Sequence, residues 1–117
     1  MSEQNQPFPP EVIREFVIAG HGNLERVQAM LTENPGLLNV AHEWGPGDTE
    51  TAIQGAAHVG NRAIAEYLLA QGAPLEIWTA VMLNRRETVD QLLAAEPDCV
   101  NATSAHFIPL LPHAAFN

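Results

Sequence analysis

The sequence predicts an all-α domain of repeated helix-turn-helix units. Three observations carry that expectation: an internal repeat, a helical spacing of apolar residues inside it, and a stop signal closing each copy. The stretch 22–40 aligns without a gap to 84–102, a shift of 62 residues. Glu25, Val27, Leu31, Pro35 and Asn39 meet identical residues at Glu87, Val89, Leu93, Pro97 and Asn101. Met30 against Leu92 and Leu38 against Val100 exchange one apolar residue for another. Self-similarity at a fixed shift is the mark of repeat architectures.

A third copy lies between these two, with Leu68-Leu69 of the stretch 60–69 standing where the others have Met30-Leu31 and Leu92-Leu93. In the first copy Leu24, Val27 and Leu31 share one helical face, with Glu25 and Glu33 off it. Asn34-Pro35, Gly72-Ala73-Pro74 and Glu96-Pro97 close the copies, because proline cannot continue a helix and glycine accepts a left-handed cap.

A short apolar segment precedes each of these helices, over 12–20, 51–59 and 75–83, and a last one covers 109–116. These read as the first helices of the pairs. Pro9-Pro10 and Glu11 suit a helix start, where proline is tolerated and a carboxylate meets the positive helix end. The organisation is a single domain with a disordered leading segment 1–10 and a first unit over 11–40. A long hairpin loop and second unit follow over 41–74, then a third unit without a hairpin over 75–102 and an incomplete fourth over 103–117. Units that cannot bury an apolar face alone stack on their neighbours, which makes the product a helical solenoid.

The segment Thr51-Ala52-Ile53-Gln54-Gly55-Ala56-Ala57-His58, running on to Ala73, resembles the ankyrin repeat, whose signature begins Thr-Pro-Leu-His-x-Ala-Ala. The resemblance extends over about residues 12–117 and implies an ankyrin-type solenoid of about three repeats plus an incomplete fourth. Ala56 and Ala57 let first helices approach closely, and Gly60 permits the turn between helices. Ala52 and Gln54 replace the usual Pro and His, so the helix start must be fixed through Thr51 and Gln54. Spacing departs from the ordinary unit of about 33 residues: Gly22 to Gly60 is 38 and Gly60 to Asn84 is 24. No capping helix follows the fourth segment, so Leu110, Leu111 and Phe116 are expected to form an oligomer contact or to be covered by the rest of a longer chain.

The resemblance also implies a protein-interaction module, binding through hairpin tips and the concave face of the first helices, with no catalytic residues. In this sequence the hairpin supplies His42, Glu43, Trp44, Asp48 and Glu50. The concave side supplies Gly20, His21, His58, Val59, Met82 and Leu83, with Met82 and Leu83 as an apolar strip. Trp44 is either an exposed anchor, as aromatic hot spots are, or a cover folded back over the open edge beside the shortened third unit. The net charge of −9, from 14 acidic and 5 basic side chains, argues against nucleic acid and anionic membrane surfaces and for a basic protein partner. No segment approaches the roughly 18 apolar residues of a membrane span, and the opening residues carry no leader pattern, so the expected location is the cytoplasm. Cys99, the one cysteine, excludes an internal disulfide and takes the place of apolar Leu37, which predicts a buried, inert thiol.

Five histidines raise the question of metal. There is no His-Glu-x-x-His and no pair of His at i, i+4, so the spacing assigns no metal ligand and no cofactor. His58 reads as a surface residue titrating near neutrality. The competing reading is a small metal-binding sensor or metal-assisted enzyme using His42, Glu43, Asp48 and His58.

Overall fold

A computed structural model describes residues 8–98, 103–104 and 113–114. Helix α1 (Pro10–Gly22) is followed by α2 (Leu24–Glu33), strands β1 (His42–Gly45) and β2 (Asp48–Glu50), and then α3 (Ala52–His58), α4 (Arg62–Ala70), α5 (Ile77–Met82) and α6 (Arg86–Ala95). The described chain is therefore mostly helical, in the order the repeat implies. The expected 12–20, 51–59 and 75–83 become α1, α3 and α5. The two-stranded sheet corrects the expectation of a purely helical chain: the long hairpin closes as an antiparallel ladder. Of the fourth segment only His113 and Ala114 fall among the described residues. Leu110, Leu111, Phe116 and Cys99 lie outside them.

Local chemistry places the ends. Thr51 and Gln54 form a capping box at the start of α3: the Gln54 backbone N–H donates to Thr51 Oγ1, and the Thr51 N–H donates to Gln54 Oε1. These reciprocal bonds satisfy two orphan donors at the helix start. Asn23 and Asn61 cap α2 and α4 by accepting from Arg26 and Ile64. Pro35 and its repeat counterpart Pro97 both start a short 3-10 turn. The turn after α3 needs a left-handed residue and has Gly60 at φ 73°. The turn after α5 puts Asn84 there at φ 58°, a conformation asparagine tolerates better than most residues.

The first helices pack on one another in chain order, α1 on α3 and α3 on α5, and each carries its own second helix, α2, α4 or α6. The core lies between the two rows: Ile13, Phe16 and Val17 from α1, Val27 from α2, Ile53 and Ala56 from α3, and Ile64 and Leu68 from α4 are all essentially inaccessible. Contact between α1 and α3 is close enough to need glycine. A Cβ on Gly20 would lie 2.7 Å from the Ala52 carbonyl oxygen and 2.9 Å from its Cα. No residue of α6 is fully buried, so the stack is covered least at that end. No helix among the described residues is long and apolar enough to cross a membrane.

Candidate functional site

The hairpin between the first and second helix pairs is fastened to the helices by one internal cluster. Pairing runs His42 with Glu50, Glu43 with Thr49 and Gly45 with Asp48, and the register shifts at Trp44. Such a bulge re-aims a side chain. Trp44 is half-buried against the core, and its Nε1–H donates to Glu50 Oε1 at 2.8 Å. Its ring meets the His42 ring edge-on at 4.5 Å and carries the Arg14 guanidinium 5.7 Å from its centre. Trp44 folds back onto the hairpin base and α1, and not onto the edge beside the third unit.

Glu50, the last residue of β2, is completely buried. Its second oxygen, Oε2, lies 3.1 Å from His21 Nε2 and 3.3 Å from His58 Nδ1. His21 ends α1 and His58 ends α3, so stacking the two helices brings both rings to one carboxylate. The rings stand 5.0 Å apart at 62°. His21 Nδ1 sits 2.8 Å from the Val17 carbonyl oxygen. That oxygen can only accept, so Nδ1 carries hydrogen and Nε2 is the nitrogen turned to Glu50. Gly55 clears the space: a Cβ there would meet the His21 ring at 2.6 to 3.0 Å. A glycine inside α3 costs about 0.5–1 kcal/mol against alanine, and room for this ring is its structural reason.

Burial alone would push the Glu50 carboxyl up, but the hydrogen bond and charge of His21, with Trp44 and His58, outweigh it and hold the group below its ordinary 4.5. The Glu50 hydrogen bond likewise lifts His21 above its ordinary 6.5, against the opposing effect of burial. The signs fix a pH dependence for the metal-free protein. His21, raised in the fold, contributes stability fully below pH 6.5 and loses it as pH rises through its folded value. Glu50, lowered in the fold, contributes fully above 4.5 and loses it as pH falls through its folded value. Linkage therefore puts the full contribution between these limits. Tm measured against pH in chelator is expected to peak in that window, and Glu50→Gln is expected to flatten the peak.

Several sequence-predicted site residues are placed elsewhere. Met82 and Leu83 are not an exposed strip: they are 1% and 4% accessible and belong to the core cluster. The end of α5 tucks against the second pair, where Arg62 donates to the Leu83 carbonyl. Gly20 is buried against Ala52, and Glu50 is internal. His58 is not a surface residue, its side chain being only 10% accessible. Glu43 and Val59 remain exposed, and His42 and Asp48 are intermediate. The grouping His42, Glu43, Asp48 and His58 does not form. Among the described residues, the donor atoms that converge belong to His21, Glu50 and His58, all within 4.8 Å of one another. The available signal was that His21 and His58 occupy near-equivalent places in adjacent units, with Glu50 directly before the Thr51 cap.

Fold and site together define a class: stacked helix pairs with an inserted hairpin, held at its base by an internal carboxylate between two histidines. No family model, curated protein or solved structure matches the chain.

Proposed function

We propose that the chain is a protein-interaction module of ankyrin type that presents the β1–β2 hairpin to a basic protein partner. One observation supports this most: the long hairpin is fixed to the helices by burying a carboxylate. Burying charge costs several kcal/mol unless well paired, so the arrangement spends stability on the position of a loop. A recognition loop held in place in advance loses less freedom on binding. Glu43, Pro46, Gly47 and Thr49 form its exposed side, and the net charge of −9 steers basic surfaces toward it.

Affinity capture with the native chain, Glu43→Lys and Glu50→Ala tests the reading. Glu43→Lys alters the exposed side alone, and Glu50→Ala releases the loop at a cost in stability, so its capture is read at a temperature where circular dichroism shows the helices folded. A partner held by the native chain and weakened by both variants is expected; one retained equally by both would remove the hairpin from recognition. Trp44 is a poor probe here, because its replacement also removes the bond to Glu50.

A further inference from the structure

We propose that His21 Nε2, Glu50 Oε2 and His58 Nδ1 form a binding site for one divalent first-row transition-metal ion, of the zinc or ferrous type, which ties the hairpin to both first helices. The inference does not depend on what the hairpin recognises.

Geometry carries it. Metal bonds from imidazole nitrogen and carboxylate oxygen are about 2.0–2.1 Å, which puts neighbouring ligand atoms about 2.9–3.4 Å apart in octahedral or tetrahedral arrangements. The two nitrogen-to-oxygen separations, 3.1 and 3.3 Å, fall within that range. The bond from His21 Nδ1–H to the Val17 carbonyl turns the lone pair of the neutral ring, on Nε2, toward the carboxylate. In the metal-free chain a proton on Nε2 bridges this pair, and an entering metal ion would take its place. A proton joins one nitrogen to one oxygen, whereas a metal ion engages all three donors at once. The surroundings have the form of an outer shell that orients ligands: Val17 fixes one ring, Trp44 Nε1–H holds Oε1 so that Oε2 faces the histidines, and Gly55 leaves the His21 ring its place.

The donor set selects the metal. Two imidazoles and one carboxylate suit zinc or ferrous iron with positions left for water, whereas calcium and magnesium prefer oxygen donors throughout. The His21 side chain is 26% accessible, which gives an ion and its water a route from solvent.

The test uses the full chain, stripped with chelator and titrated with Co2+, whose visible bands report ligation, followed by displacement with Zn2+. One equivalent is expected to bind to the native chain, with zinc raising Tm. Glu50→Gln, which keeps the shape and the bond from Trp44, and His58→Ala are expected to weaken binding at least about 100-fold. Gly55→Ala separates metal from folding: alanine favours the helix, so helical content by circular dichroism should persist while affinity falls with the displaced His21 ring. Failure of the native chain to bind, or equal binding by Glu50→Gln and His58→Ala, would overturn the site. So would loss of binding in His42→Ala alone.

Discussion

Replacing Glu50 with alanine is expected to lower the stability of the metal-free chain by about 2–4 kcal/mol at pH 6, and to loosen the hairpin before the helices unfold. Truncating one partner of a buried ion pair costs about 3–5 kcal/mol where the remaining charge stays buried. Here His21 can release its proton, which reduces the cost. Against that, the substitution removes the acceptor of Trp44 Nε1–H and leaves space where a fully buried side chain stood, and unmet buried polar groups cost about 1–3 kcal/mol. Urea denaturation followed by far-ultraviolet circular dichroism measures the loss. An effect within about 0.5 kcal/mol, the level of ordinary surface substitutions, would show that the carboxylate fastens nothing.

Gly20→Val is expected to cost about 3 kcal/mol or more by a different route, with the damage in the stack itself. Its Cβ would be driven to 2.7 Å from a backbone oxygen and 2.9 Å from a Cα. Backbone atoms cannot rotate aside as a side chain can, so α1 and α3 must separate. Overpacking of this kind typically costs 1–3 kcal/mol, and loss of the α1–α3 contact also spreads His21 from Glu50. Thermal unfolding of the variant should show the drop. A companion Gly22→Val, at a position where a Cβ would meet nothing within 4 Å, should show no comparable loss, because valine is not a poorer helix former than glycine.

The helix pairs were legible because their signals are local. Leu24, Val27 and Leu31 share a face, Pro35 and Pro97 end their helices, and Thr51 with Gln54 supplies a cap that a four-residue window contains. The hairpin was legible as an insertion, from a spacing of 38 against 24. Its closure as a ladder with a bulge at Trp44 was not. Met82 and Leu83 were misplaced because position within a repeat was used to infer exposure, while burial depends on how the third pair tucks against the second. The cluster was hidden for a related reason. His21, Glu50 and His58 come from two helices and a strand, and searches for ligand pairs on one helix cannot find atoms that converge only after α1 and α3 have stacked.

Amide hydrogen exchange across residues 42–50 tests the central claim, that the hairpin is fixed to the helices through Glu50, most directly. Two short strands alone are marginal in water, so protection there must come from the attachment. The account predicts that β1 and β2 amides in the native chain exchange nearly as slowly as those of α1 and α3, and that Glu50→Ala makes them fast while the helices stay protected. Fast exchange in the native hairpin, or unchanged protection in the variant, would contradict it.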